Sequence, residues 1–358
     1  MVLQHVVQPN FSSELLTYIF CSISYVPDSK ESEISQLKAW LHKLGTIDVI
    51  DLFNRILERP NSQVRLGAIK LIQRLEEKNV INVLIAKIKD ERVRDIKRAI
   101  VECISTLGGH LSPELAQSLL DTEEDWIIQS YALKNLDTYK AVLLISDGTE
   151  FAIELGTIAQ EAGFRLVSYP ISLFSLETEM PNDEILISYD LIILVRGEHF
   201  RAYGNEHFYS QLRKFVFAGG SLFATSWVSW ENQYNKEFAT VLPFVHIQNK
   251  YIEDVMITCI STASQLAKRL FPKKMSFRTS FELLQNKDGS VVLLETDNHT
   301  PIFGYRHFGS GFCYYLNSCQ HSCLGTILSP MQTSSELHDS LKQVFEWIFD
   351  PRAREEVK

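Results

Sequence analysis

The sequence predicts an all-α repeat domain in residues 1–137, followed by an α/β domain with a doubly wound, mostly parallel sheet and an antiparallel extension in residues 138–358. Apolar residues recur with a 32-residue spacing in the first part of the chain. From residue 141, strand-like apolar runs alternate with amphipathic helical patterns, and from about residue 280 short strands follow one another. The chain has 358 residues, 45% of them hydrophobic, which is enough for two packed cores.

The repeat is defined by three apolar positions that align when the sequence is shifted by 32 residues. The aligned sets are Val64, Ile96 and Ile128; Ala68, Ile100 and Ala132; and Ile72, Ile104 and Leu136. Within one unit the spacing is i, i+4 and i+8, which is one face of a helix. A polar position beside the first set holds Arg65, Lys97 and Gln129. A second helix follows in each complete unit, so the sequence predicts stacked helix pairs.

Helix pairs that open with Gln63-Val64-Arg65 or Arg92-Val93-Arg94 resemble HEAT-type α-solenoid repeats, over roughly residues 30–137. One pair cannot bury its apolar face alone, so neighbouring pairs stack and present a curved surface. The resemblance implies a HEAT-like solenoid with a protein partner on the repeats. The alternative is that these helices only pack against the second domain.

Charge and composition exclude several classes of function. The formal net charge is −9, with 16 Lys and Arg against 19 Asp and Glu in residues 1–137, and 19 against 25 in residues 138–358. We therefore expect neither nucleic acid nor an anionic membrane as a partner. A basic cluster is interrupted by acidic residues and is interpreted as a solvated turn. Its members are Lys87, Lys89, Arg92, Arg94, Lys97 and Arg98.

Targeting signals and cysteines predict the compartment. The N-terminal residues lack the pattern of a signal peptide, and no stretch reaches the ~18 apolar residues that a membrane-spanning helix needs. The six cysteines are too few for a disulfide scaffold. The sequence therefore predicts a cytoplasmic protein with reduced thiols.

The second domain begins with an alternation of strands and helices. The predicted elements are a strand at 141–145, a helix at 151–162, strands at 165–169 and 191–195, a helix at about 206–218, and a strand at 221–225. The first three form a βαβ unit, whose connection implies parallel strands. This order favours an open doubly wound sheet of flavodoxin-like type. Runs such as FELLQ and GFCYYLNS then predict hairpin-linked strands, and residues 336–348 a closing helix.

Two segments resemble class I glutamine amidotransferase-like domains. The first is the strand from Tyr189 together with Phe217-Ala218-Gly219-Gly220-Ser221-Leu222, and the second is the glycine-hinged hairpin 301–321, which is similar to the trehalose-utilisation-type branch. The resemblance covers about residues 140–350 and implies a nucleophile at a sharp turn after the fourth strand. Ser226 stands there in place of the family's Cys, and both flanking glycines are absent. The family's His-x-Glu pair is also missing at His321, so we expect no ordinary glutamine hydrolysis.

Ligands of doubly wound sheets bind beyond the carboxyl ends of the strands. The ligand-binding residues predicted on that basis are Asp147, Gly148, Arg196, His199, Trp227 and Asn317. Ser226 and His321 are a candidate nucleophile–base pair, oriented by Glu198 or Asp147. The alternative is a decayed pocket, in which Ser226 caps a helix and His321 bonds to backbone groups.

No metal or cofactor is predicted. Cys313, Cys319, His321 and Cys323 are close in sequence, but their spacing is not that of a structural zinc site. Gly148 and Gly219-Gly220 do not form a dinucleotide-binding fingerprint.

Two hypotheses for function follow from these observations. The first is a pseudoenzyme: a non-catalytic or catalytically altered amidotransferase-like protein with a protein partner on the repeats and a small polar ligand in the α/β crevice. The alternative is a hydrolase or acyl-transfer enzyme with Ser226 as nucleophile and His321 as base.

Overall fold

The computed structural model describes most of both predicted domains. The described residues are 34–35, 38–39, 41–42, 46–136, 140–146, 148–170, 183–195, 206–229, 235–320 and 328–350. The chain divides into two compact units, Met1–Asp137 and Thr138–Lys358, at the point where the sequence pattern changes. Within the described residues, no helix combines the length and the apolar character needed to span a bilayer.

The first unit consists of paired helices. They are α1 (Thr46–Leu57), α2 (Ser62–Leu75), α3 (Ile81–Ile88), α4 (Arg94–Thr106), α5 (Pro113–Thr122) and α6 (Trp126–Leu133), with a 3-10 turn at Lys78–Val80. The helices α2, α4 and α6 begin at Ser62, Arg94 and Trp126, which reproduces the 32-residue spacing. The aligned apolar positions are buried in all three helices, and only Leu136, just after α6, is half-buried. The predicted helical repeat is confirmed.

In the first two repeats, the side chain at the polar position binds the turn that precedes the equivalent helix of the next repeat. The guanidinium of Arg65 donates to both carboxylate oxygens of Glu91, at 2.9 and 3.1 Å. One repeat later, Lys97 Nζ lies 2.6 Å from Glu123 Oε1. Gln129 ends the series and donates to the backbone carbonyl of Glu123 at 2.6 Å. Burial opposes the ionisation of Glu91, but the hydrogen bonds and charge of Arg65, together with the backbone N–H groups of Val93 and Arg92, outweigh it and lower its pKa below the ordinary value.

The helices of the repeat differ in how their N-termini are capped. Asn61, Val93 and Asp125 occupy equivalent positions, one residue before α2, α4 and α6. Asn61 Oδ1 accepts from the backbone N–H of Gln63 at 2.9 Å, and Asp125 Oδ1 accepts from that of Ile127 at 3.0 Å. Val93 has no side-chain acceptor and is 39% exposed. One helix of the three therefore lacks a side-chain cap.

Replacing Val93 by asparagine is expected to stabilise the first unit by about 1 kcal/mol, because the amide oxygen would accept a backbone N–H at the start of α4. Chemical denaturation of the full chain measures the gain. Val93→Ala is the matched control, since it removes the same apolar side chain without adding an acceptor. Equal stability of the two variants would contradict the capping argument.

Within its described residues, the second unit contains one nine-stranded mixed sheet. Its strands are β1 (Ala141–Ser146), β2 (Arg165–Pro170), β3 (Leu191–Val195), β4 (Ser221–Thr225), β5 (Phe244–Ser261), β6 (Lys274–Asn286), β7 (Ser290–Thr296), β8 (Pro301–Phe308) and β9 (Gly311–Leu316). The order across the sheet is β2-β1-β3-β4-β9-β8-β7-β5-β6. Neighbours from β2 to β9 are parallel, and neighbours from β9 to β6 are antiparallel. The predicted α/β character is confirmed, but parallel pairing covers only half of the sheet.

Helices cover the parallel half of this sheet. The helices of the unit are α7 (Glu150–Glu161), α8 (Asp183–Leu186), α9 (Glu206–Phe217), α10 (Lys236–Ala239), α11 (Gln265–Leu270) and α12 (Ser335–Ile348). Apolar side chains of α7 and α12 join alternate residues of β1, β3, β4 and β9 in one core. The helix α9 packs on β4 and β9. At the turn from α9 to β4, a Cβ on Gly220 would lie 2.3 Å from the ring of Phe215, so only glycine fits there.

The antiparallel half starts earlier than the sequence predicts. The 18-residue strand β5 was not predicted, and β6 begins before the predicted run FELLQ. The register between β5 and β6 shifts between His246 and Tyr251, and again between Ile252 and Val255. Such irregularities break the alternation of apolar and polar residues that identifies a strand in a sequence. The strand β9 joins the two halves, since it pairs with β4 in parallel and with β8 in antiparallel fashion.

Candidate functional site

The family resemblance implies a sharp turn that carries a nucleophile at Ser226, directly after β4. The structure has an unusual backbone conformation in this turn, but at Trp227. Trp227 has a φ of 75°, a conformation that is strained for a bulky side chain. Ser226, the predicted nucleophile, precedes it and is 0% exposed. Residues 226–229, which follow β4, are called the elbow below.

The Ser226 hydroxyl is used inside the protein. Its Oγ donates to Oδ1 of Asn317 at 3.0 Å. Asn317 follows β9, the strand beside β4, and is also 0% exposed. Because β4 and β9 are parallel, both residues lie at the same edge of the sheet.

Asn317 acts as a clamp between strands. Its Oδ1 also accepts from the backbone N–H of Glu282 at 2.9 Å, while its Nδ2 donates to the carbonyls of Glu282 at 2.8 Å and Pro301 at 2.9 Å. The side-chain amide thereby makes four hydrogen bonds, which is its full capacity. This residue, predicted to contact a ligand, holds β6, β8 and the elbow together.

A buried carboxylate from β6 lies directly under the elbow. Glu282 Oε2 accepts from the backbone N–H of Trp227 at 3.0 Å, from Ser229 Oγ at 2.5 Å and from the Tyr315 hydroxyl at 2.8 Å. The other oxygen, Oε1, lies 3.1 Å from Nδ1 of His246, and the two side chains are 1% and 2% exposed. Burial and the neighbouring Glu282 charge raise the pKa of Tyr315 well above its ordinary value, so its hydroxyl keeps its proton.

The side chain of Trp227 packs beside this network. Its Nε1 donates to Sγ of Cys319 at 3.0 Å, and its ring meets that of Tyr251 edge-on, with centroids 4.8 Å apart. The indole is therefore held by contacts within the protein on two sides.

The structure brings together three of the predicted site residues: Ser226, Trp227 and Asn317. Gly148 lies after β1, is exposed, and has a φ of 78°, which favours glycine. The other predicted residues lie outside the described part of the chain and stay predictions. They are Asp147, Arg196, Glu198, His199 and His321.

Four members of the buried network were missed by sequence reasoning: Ser229, His246, Glu282 and Tyr315. The sequence contains an indication of one of them, because Glu282 is the single charged residue in the apolar run 281–284. In β6 it is separated by an even number of residues from Ser276 and Arg278, which are exposed. Alternation therefore assigns it to the solvent face, but the elbow, Tyr315 and His246 lie against its carboxylate and bury it.

The cysteines of the described residues are buried. Burial raises the pKa of Cys103 and of Cys259 to about 12 and raises the pKa of Cys313 further. These thiols therefore carry no charge at neutral pH. Within the described ranges, no group of three or more His, Cys, Asp and Glu side chains could hold a metal ion.

The repeats carry a separate surface feature. An open cleft of about 340 Å³ lies at the turns between helix pairs, with apolar residues such as Leu57, Ile96 and Ile100 and charged side chains among its lining. Several of its charges are paired, including Lys87 with Glu58 at 3.0 Å. The members of the basic cluster that contact acidic side chains are Lys87, Arg94, Lys97 and Arg98.

Comparison with known proteins gives matches for each unit. No curated protein sequence matches the chain. Among solved structures, the cytoplasmic protein STM1381 from Salmonella typhimurium LT2 is 18% identical with a TM-score of 0.47, over 58% of this chain and 99% of that one. ThuA-like proteins from Bacteroides uniformis and Parabacteroides merdae are 15% and 11% identical, with TM-scores of 0.42 and 0.47, over 58% and 59% of this chain and 89% and 90% of theirs.

Similarity at this level carries no argument about activity. The match in the first unit is of a different kind, because residues 50–137 match the family model of HEAT repeats. That range contains the helices α2 to α6 with their 32-residue spacing. Residues 50–137 are thus a HEAT-like region.

Proposed function

We propose that this chain is a cytoplasmic, non-catalytic amidotransferase-like protein that binds a protein partner through its repeats and uses its α/β unit as a scaffold. The observation that carries the proposal is the state of Ser226. Its side chain is fully buried, and its hydroxyl proton is directed at the amide oxygen of Asn317.

A nucleophilic serine needs a base that accepts its proton and an open path to the substrate. An amide oxygen is a hydrogen-bond acceptor but not a base at neutral pH. The amide of Asn317 is in turn held by three further hydrogen bonds, so the pair does not rearrange without breaking them. The geometry at Ser226 therefore supports a structural role rather than attack on a substrate.

The strand order supports the finer part of the proposal. The parallel strands follow the order β2-β1-β3-β4-β9, and β4 leads into the elbow. An order of 2-1-3-4-5 is that of flavodoxin-like doubly wound sheets. We propose this assignment for the parallel half, with an amidotransferase-like elbow that has lost its nucleophile. A small polar ligand near Gly148 is a further part of the proposal.

The proposed partner site is supported by the cleft on the repeats. Stacked helical repeats present extended concave surfaces that bind partners. The cleft combines the exposed Val93 with charged residues such as Arg92 and Asp90. An apolar contact rimmed by charges is typical of protein interfaces.

We expect a serine-directed phosphonylating probe, a fluorophosphonate, to label the wild-type protein and Ser226→Ala equally. Intact-protein mass spectrometry measures the labelled fraction. The matched control is Ser276→Ala, which removes an exposed hydroxyl from β6 and sets the background. Labelling that is lost in Ser226→Ala and in His321→Ala would instead establish the alternative, a hydrolase or acyl-transfer enzyme.

A further inference from the structure

The elbow carries a set of hydrogen-bond donors that converge on one point. The backbone N–H of Trp227, the hydroxyl of Ser229 and the hydroxyl of Tyr315 all donate to Oε2 of Glu282, over 3.0, 2.5 and 2.8 Å. These donors come from two different segments of the chain, and the acceptor comes from a third. Three donors on one oxygen is the arrangement that proteins use to bind an anion.

The second carboxylate oxygen has its own contact. Glu282 Oε1 lies 3.1 Å from His246 Nδ1, and both side chains are almost completely buried. Each of the two carboxylate oxygens therefore has polar neighbours within 3.1 Å. A spherical anion such as chloride has one centre and cannot occupy both positions.

The strained backbone of the elbow is also consistent with the binding of a negatively charged group. Trp227 has a φ of 75°, which is costly for a residue with a Cβ unless the surroundings hold it there. In this conformation its N–H points at Glu282. The hydrogen bond to a charged acceptor is the kind of interaction that stabilises such a backbone.

We infer that the elbow is a carboxylate-binding site whose resident ligand is the chain's own Glu282 side chain. While this side chain is in place, external anions are excluded from the elbow. When it is shortened to alanine, the site accepts a small free carboxylate such as acetate. The inference concerns anion binding, and it holds whether or not Ser226 reacts with a substrate.

Acetate matches the space that the substitution opens. Glu282→Ala removes the terminal methylene and the carboxylate, and the acetate ion contains the same heavy atoms. The donors of Trp227, Ser229 and Tyr315 stay in the variant, where they would otherwise be buried without an acceptor. Acetate that fills the site satisfies them again.

The test measures the thermal unfolding of full-length Glu282→Ala as acetate replaces chloride at constant ionic strength and neutral pH. A ligand that binds only the folded state raises the folding equilibrium constant about tenfold for each tenfold rise in concentration above its Kd. We expect this dependence in Glu282→Ala and a flat response in the wild type. An equal response of the two proteins, or none in the variant, would overturn the inference.

Three controls locate the effect. Glu346→Ala makes the same substitution at an exposed position in α12 and is expected to show the flat response. Adding Ser229→Ala to Glu282→Ala removes one donor and is expected to weaken the acetate dependence. Trimethylacetate, which is too bulky for the space, is expected to be without effect. A full response in any of these would show that acetate acts elsewhere.

A second measurement does not depend on the folding of Glu282→Ala. Glu282→Gln preserves the shape of the side chain but replaces the charged acceptor by a neutral one. We expect the backbone amide proton of Trp227 to move upfield in this variant, as read in a ¹⁵N-correlated NMR spectrum. An unchanged resonance would overturn the inference. The labelling experiment tests catalysis and these experiments test anion binding, so the two proposals fail independently.

Discussion

Replacement of Asn317 by alanine is expected to destabilise the second unit by about 4 kcal/mol. The amide makes four hydrogen bonds in a buried setting: with the Ser226 hydroxyl, the backbone N–H of Glu282, and the carbonyls of Glu282 and Pro301. Each buried group left without its partner costs about 1 kcal/mol or more. Urea denaturation of the full chain, followed by near-ultraviolet circular dichroism, measures the loss.

Two further variants make this experiment specific. Asn317→Asp retains the acceptor but sets a buried carboxylate oxygen against the carbonyls of Glu282 and Pro301, so a loss at least as large as that of Asn317→Ala is expected. Asn286→Ala, at an exposed position near the end of β6, is expected to stay within about 0.5 kcal/mol of the wild type. A loss below about 1 kcal/mol in Asn317→Ala would contradict the clamp and leave the residue available for ligand contact.

The second large effect is expected in the repeats, where Asp125→Ala should cost about 3 kcal/mol. The Asp125 side chain is 4% exposed and caps α6, with Oδ1 accepting from Ile127 N at 3.0 Å and Ile128 N at 3.2 Å. Its other oxygen pairs with Arg94 and, at 2.6 Å, with Arg98. Loss of a cap costs ~1 kcal/mol, and loss of a charged hydrogen bond costs about 1.5–3 kcal/mol.

Substitution by asparagine separates the two parts of this effect. Asp125→Asn retains an oxygen for the cap and loses the charge, so a loss of about half is expected. Asp51→Ala removes an exposed aspartate of α1 that pairs with Arg55 one turn later, and its effect is expected to be about 0.3–0.5 kcal/mol. Urea denaturation of the full chain measures all three. Equal losses in Asp125→Ala and Asp51→Ala would show that the buried aspartate contributes no more than a surface pair.

The helices and the parallel strands were predictable because their pattern is local. Ile96, Ile100 and Ile104 lie on one face of α4 because they are spaced by four residues. The strand β3 is buried on both faces and appears in the sequence as an uninterrupted apolar run. The strand β5 was missed because its two register shifts interrupt the alternation that marks a half-buried strand.

The candidate site was predicted only in part, because most of its contacts join distant parts of the chain. Ser226 and Asn317 were named from the ends of their strands, yet their mutual hydrogen bond spans 91 positions. The backbone N–H of Ser229 donates to the hydroxyl of Tyr315, 86 residues away, and nothing in the local sequence of either residue predicts this contact. Glu282 carried a signal, but its burial depends on the elbow that covers it.

The amino-acid sequence alone establishes the order of the two units, the 32-residue repeat and the serine at position 226. These follow from residue type and spacing, which act over one or two turns of backbone. The packed fold is needed to see that the Ser226 hydroxyl donates to Asn317 and that Glu282 accepts from the donors of the elbow. The physical reason is that a buried polar group must find partners wherever the fold brings them, and the fold brings these from strands far apart in the chain.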